Sequence, residues 1–212
     1  MLDLFLSAFA MLFVVIDPPG CAPIYAGLTA GATRAQATIM ALRAAFIATL
    51  ILVVFAVFGE ALLGALHIEL DAFRIAGGIM LFMIAIDMVF EKRTQRREER
   101  AEKIIARNDQ TPEVEDVSVF PMAMPMIAGP GSIATIMLLM AKSKGTEQTL
   151  VVLAALAAVM VLTALALIAA GPLMRLLGSR AEAVITRLLG VLLAALATQY
   201  IIDGIKGAWG LA

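Results

Sequence analysis

Ile16-Asp17-Pro18-Pro19-Gly20-Cys21-Ala22-Pro23 interrupts an apolar run that otherwise reads as one helix. A second stretch, Ile127-Ala128-Gly129-Pro130-Gly131-Ser132-Ile133-Ala134, interrupts another such run 111 residues later. Each has the form Ile-x-x-Pro-Gly followed by a small residue. Proline removes a backbone donor and crowds the carbonyl four residues back, and glycine loses extra backbone entropy in a helix. In hydrocarbon a carbonyl freed in this way has no water to turn to, so such an interruption must face protein or a wet cavity. Matching interruptions in two halves of a membrane chain point to a transporter's binding site.

The composition demands a membrane. Of 212 residues 62 % are hydrophobic, and the mean hydropathy is +0.97. Soluble domains hold roughly 45–50 %, and a domain of this size could not bury the excess. The net charge of −1 and pI near 5.9 give no nucleic-acid signal. A single cysteine, Cys21, excludes an internal disulfide and a multi-cysteine metal site. His67 has no second ligand near it in sequence, so no metal and no resident cofactor are expected. Met1-Leu2-Asp3-Leu4 lacks a positive leading segment, so the first apolar run reads as a permanent span.

About 20 apolar residues cross a bilayer. The expected spans are 2–29, 37–66, 72–90, 117–141, 148–175 and 183–207, with turns at 29–36, 67–71, 142–147 and 178–182. Seven of the 16 Lys and Arg residues lie in the charged loop 91–116. Arg34, Arg43, Arg175, Arg180 and Arg187 fall on the same side of a six-span chain. Because basic residues collect on the cytoplasmic side, the loop is expected in the cytoplasm and both termini outside.

The two Pro-Gly stretches are one of three internal matches. Gly59 aligns with Gly171 at an offset of 112, and Arg74-x-x-Gly77 with Arg187-x-x-Gly190 at 113. One duplication with small indels accounts for all three. The expected architecture is all-α, with six transmembrane helices in two inverted three-helix repeats, 1–91 and 117–212, joined by a charged linker at 92–116. Helices one and four are expected to break at Pro18, Pro19 and Pro130.

A broken helix offers carbonyls at one end and N–H groups at the other. Its dipole makes the N–H end favourable for anions. Two antiparallel breaks at the midplane would thus suit a small zwitterion. The candidate binding residues are Asp17, Gly20, Cys21, Gly129, Gly131, Ser132, Thr135 and Gln199. An ionisable residue in a span is functional by default, although Asp17 could simply cap the downstream half-helix. Ser132 and Thr135 could bind substrate or return hydrogen bonds to the backbone. Cys21 is read as packing, Asp87 as reaching the interface, and Asp203 with Lys206 as a surface pair.

Asp17-Pro18-Pro19-Gly20-x-x-Pro23, Pro121-Met122-Ala123-x-Pro125-Met126-Ile127-Ala128-Gly129-Pro130-Gly131, Arg74-x-x-Gly77-Gly78 and Gln199-x-x-x-Asp203-Gly204 together resemble the MarC family of bacterial inner-membrane proteins. That family resembles the LysE-type exporters, and its SnatA branch is associated with transport of small neutral amino acids such as glycine and alanine. Its name reflects an association with multiple antibiotic resistance. The resemblance implies six spans, a plasma-membrane location and amino-acid transport. The chain departs from the family at Cys21, where Asn is usual, and at Tyr25, where Phe is usual.

The expected function is secondary transport of a small neutral amino acid, outward or by exchange, with proton or sodium coupling open. The alternative is a channel, or a non-transporting membrane scaffold linked to antibiotic resistance. No nucleotide-binding loop supports ATP use. Aspartyl chemistry would need Asp17 and Asp87 side by side; with one at mid-membrane and one near the interface, the chain is read as not an enzyme. The expected partners are the bilayer and the amino acid, with no nucleic acid and with a homo-oligomer left open.

Overall fold

The computed structural model describes residues 1–90 and 116–210, without the side chains of 173–183. The charged linker expected at 92–116 therefore lies, Asp116 apart, outside the described residues. Those residues form helices α1 (Leu2–Ile16), α2 (Pro18–Leu28), α3 (Arg34–Ala65), α4 (Leu70–Val89), α5 (Pro130–Lys142), α6 (Gly145–Ile168) and α7 (Ala170–Ala208), with an irregular wide-turned segment at Ser118–Ile127 before α5. No strand occurs among the described residues. Five stretches are long and apolar enough to cross a membrane: Leu2–Leu28, Arg34–Ala65, Leu70–Val89, Gly145–Ile168 and Val184–Ala208. The Ser118–Ile127 segment and α5, bent by 54° at their junction, make a sixth if taken together.

The helix ends are written locally. Thr33 and Gln36 form a capping box at the start of α3, each side chain accepting from the other's backbone N–H. After α3, the Ile68 N–H reaches the Leu63 carbonyl and the His67 N–H that of Gly64, with His67 in the left-handed region at φ 55°. This paired closure satisfies carbonyls the helix would otherwise leave bare.

Two expectations fail. The turn placed at 178–182 is helical, and the chain turns instead at Ala169, between α6 and α7. The reason is Gly171-Pro172: proline in a first turn gives up an N–H that has no intrahelical partner there, so this pair opens a helix instead of closing one. Nor is the run upstream of Gly129 a half-helix. Phe120 and Met124 are extended, at φ −128° and −132°, and each precedes a cis proline, Pro121 and Pro125. Residues before proline are pushed out of the α region, and two prolines four apart prevent regular helix.

α4 and α7 pack along their lengths as an antiparallel pair. On α7 the facing residues are Gly190, Leu193, Ala197, Tyr200, Gly204 and Gly207, spaced alternately three and four apart; Asp71 and Arg74 of α4 meet the last two, and Met88 the first. Small residues let backbones approach where lipid offers no hydrophobic drive for helix association. A β-carbon at Gly78 would sit 2.9 Å from the Ala197 carbonyl and 2.7 Å from Ile201 Cγ1. Gly78→Ala is expected to part the helices and cost about 1–3 kcal/mol, read as a lowered thermal midpoint in detergent. An unchanged midpoint would show the seam to be looser than this.

Gly77, one residue earlier, faces Leu138 and Ala134 of α5 instead. Two buried clusters result. One gathers α1, α2, α3, α6, the Ser118–Ile127 segment and Ile136 and Leu139 of α5; the other joins Val14 and Val15 of α1 to α4, α7 and Leu138. The end of α1 thus lies between them. The outer faces stay apolar, with Phe46 70 % and Leu188 63 % exposed, as surfaces meant for acyl chains would be.

Candidate functional site

Asp17 separates α1 from α2. It is left-handed (φ 58°, ψ 63°), 1 % exposed, and its carboxylate Oδ1 accepts from the Gly20 N–H at 3.1 Å. Asp tolerates this backbone better than most residues because its short polar side chain bonds locally. Pro18 and Pro19 then fill the first two helical positions, where no donor is needed. The interruption thus precedes Pro-Pro-Gly, which lies inside the first turn of α2. Gly20 has a steric reason: a β-carbon there would run into the Asp17 carboxylate. The Cys21 thiol lies 3.6 Å from the Ile16 carbonyl and donates to it, so Cys21 does more than pack.

Every early N–H of α2 is therefore accounted for. Two are absent, Gly20 is capped, and the Cys21 N–H donates to the Asp17 carbonyl at 3.0 Å. The expectation that Gly20 and Cys21 would offer N–H groups to an anion fails, because Asp17 already occupies that end.

The second interruption differs. Gly129 precedes α5, which starts at Pro130, and no side chain caps that helix. The next N–H groups, at Gly131 and Ser132, lack intrahelical partners by helix geometry. A β-carbon at Gly129 would meet the Pro125 carbonyl. Ser132 is 3 % exposed and Thr135 fully buried; the Thr135 hydroxyl donates to the Gly131 carbonyl at 2.8 Å, the backbone-return option.

The two interruptions are neighbours. A β-carbon at Gly131 would lie 3.4 Å from Val15 Cγ1, two residues before Asp17, and 2.5 Å from Ile84 Cδ1. Ile16, Cys21 and Ala22 share a buried cluster with Met126, Ile127 and Ala128. Both stretches lie inside the protein, except that Pro130 itself is exposed.

Gln199 is not brought to this place. It is exposed, and its Nε2 donates to Asp203 at 2.7 Å. Asp203 in turn pairs with Lys142 at 2.9 Å, not with Lys206 as its spacing suggested. Lys142 ends α5, about 18 Å along the helix from Pro130. At the other end of the same span, Arg43 of α3 pairs with Asp116, whose carboxylate also accepts from the Ser118 N–H at 2.9 Å. Ser118 and then Arg43 hold the Asp116 carboxyl below its usual range. Sequence reading missed both pairs: each joins residues more than 60 positions apart, and no local pattern announces them. Among the described residues no group of His, Cys, Asp and Glu could hold a metal.

A sequence profile described as "MarC family integral membrane protein" matches residues 2–209. The chain belongs to the MarC family. MarC relatives extend across bacteria and archaea. The UPF0056 membrane protein MJ1677 of Methanocaldococcus jannaschii is 34 % identical, over 98 % of each chain. The UPF0056 membrane protein YvbG of Bacillus subtilis is 36 % identical, over 98 % of this chain and 96 % of its own. A UPF0056 membrane protein of Buchnera aphidicola is 31 % identical over 95 % and 96 %. No solved structure matches this MarC chain. The MarC membership and the apolar helices together make it a multi-pass integral membrane protein.

Proposed function

We propose that this MarC-family chain is a secondary transporter, not an enzyme, for small neutral amino acids such as glycine or alanine. The observation that carries the reading is the meeting of two interrupted spans in the protein interior, at Asp17 and at Gly129–Gly131. Their chemistry is unlike. Asp17 presents a carboxylate beside the closing carbonyls of α1, which suits an ammonium group. The start of α5 presents the N–H groups of Gly131 and Ser132 and the Ser132 hydroxyl, which suit a carboxylate. A zwitterion bridges the two, and the crowding of Gly131 by Val15, Leu81 and Ile84 favours a small side chain.

The antiparallel seam of α4 with α7 supports two inverted three-helix halves, as does the agreement of Pro18 and Pro130, both first residues of their helices, with the offset of 112 between Gly59 and Gly171. The weight of basic residues supports a cytoplasmic loop 91–116 and periplasmic termini in a bacterial inner membrane. Coupling to protons or sodium and export or exchange are parts of the same proposal.

Counterflow in proteoliposomes tests it. Vesicles preloaded with unlabelled glycine or alanine are expected to accumulate the labelled amino acid transiently, while leucine and lysine compete weakly. Flux that never saturates would indicate a channel, and no flux for any amino acid would defeat the reading.

A further inference from the structure

α4 runs beside α5 in the opposite sense, and two glycines mark where they touch. Gly77 faces Leu138 and Ala134. Gly131 faces Leu81 and Ile84, at the elbow where the Ser118–Ile127 segment bends into α5. Gly131 is the second residue of α5 and has no positive φ, so its backbone does not call for glycine. Its missing β-carbon is a matter of space. The place that carbon would take is filled from α4 and α1: Ile84 Cδ1 stands 2.5 Å from it, Val15 Cγ1 3.4 Å and Leu81 Cδ2 3.7 Å.

The three side chains are not held alike. Val15 is 1 % exposed and Leu81 fully buried, so neighbours fix both. Ile84 is half-buried, at the edge of the same cluster. In a helix the Cα–Cβ bond leans towards the N-terminus. That is the end where the Gly131 and Ser132 N–H groups lack intrahelical partners. The Ile84 methyl therefore stands beside the N–H groups that would receive a carboxylate.

We propose that Ile84 sets the size limit of the transported amino acid. This rests on the transport reading and assigns selectivity within it to one residue. A carboxylate accepting from Gly131 and Ser132 at about 2.9 Å carries its α-carbon and side chain into the space that Ile84 borders. Glycine needs none of that space, and alanine needs one methyl of it. The Ile84 methyl yields to a single carbon by rotating. An isobutyl group needs more, and Val15 and Leu81 behind it do not yield. In an apolar pocket one methylene is worth about 10–200-fold in selectivity, so trimming Ile84 is expected to change the ranking of substrates.

Competition counterflow with the full chain in proteoliposomes tests it, with labelled glycine and with unlabelled alanine, valine or leucine as competitor. In Ile84→Ala the half-inhibitory concentrations of valine and leucine are expected to fall about tenfold, while that of glycine moves less than about twofold. Ile84→Val should give an intermediate gain for valine. Gly131→Ala adds a carbon to the same space and is expected to weaken competition by alanine; Ile84→Ala added to it is expected to restore that competition. Ile86→Ala, on the outer side of α4 where Ile86 is 40 % exposed, should leave the ranking unchanged. Leucine still competing weakly in a glycine-transporting Ile84→Ala overturns this proposal alone. An equal gain for leucine in Ile86→Ala does the same, because it would show general loosening. If Ile84→Ala loses all flux, Ile84→Val decides, and unchanged competition by valine there overturns the proposal. No flux of any amino acid in the parent chain would end this proposal together with the transport reading.

Discussion

Asp17→Ala is expected to destabilise the protein by about 2–3 kcal/mol. Loss of an N-cap costs about 0.5–2 kcal/mol, and a left-handed backbone costs a residue with a β-carbon about 1–2 kcal/mol. Both penalties fall on one position, which is 1 % exposed, so water cannot replace the cap. Asp17→Gly should restore the backbone and lose only the cap. Asp17→Asn should keep both and unfold within about 1 kcal/mol of the parent. The expected order of thermal midpoints in detergent is therefore Asp, Asn, Gly, Ala. The same series separates fold from function. If the carboxylate receives the substrate's ammonium group, Asp17→Asn is stable yet loses counterflow. Full counterflow in that variant would leave Asp17 as a cap alone.

Gly129→Ala carries the second large effect, about 3 kcal/mol, at the upper end of overpacking. The obstacle is the Pro125 carbonyl, a backbone atom four residues back that moves only if the whole elbow opens. Two other glycines calibrate the claim. Gly131→Ala meets the terminal methyl of Ile84, which can rotate aside, so about 1 kcal/mol is expected. Gly171→Ala meets nothing within 4 Å and should be neutral or slightly stabilising, because Ala is the better helix former. Thermal unfolding of the three variants in one detergent checks the ranking. Equal losses at 129 and 171 would mean that helix propensity, not the elbow, decides.

The latter contrast shows where sequence reading stops. Gly59 and Gly171 match as letters, yet Gly59 is pressed against Met137 while Gly171 is open. Likewise Ile-x-x-Pro-Gly occurs twice, but what decides each interruption is not among the letters the two stretches share. In the first it is Asp17, which caps the next helix with its own side chain. In the second it is the pair Pro121 and Pro125, which keep the preceding run from becoming regular helix. Gln199 looked like a cavity residue because it is polar within an apolar run; its rotation about α7 puts it on the exposed side, where Asp203 receives it.

By itself the sequence determined what is local. Apolar runs long enough for a bilayer set the class, since no soluble core could hold them. Prolines and glycines set where helices start and stop, because ring closure and the missing β-carbon act within a turn of the chain. Tertiary structure alone decided which ends meet. Val15 beside Gly131, Arg43 with Asp116 and Lys142 with Asp203 depend on how tilted helices pack in three dimensions. Their letters are separated by tens of residues, with no periodicity to connect them.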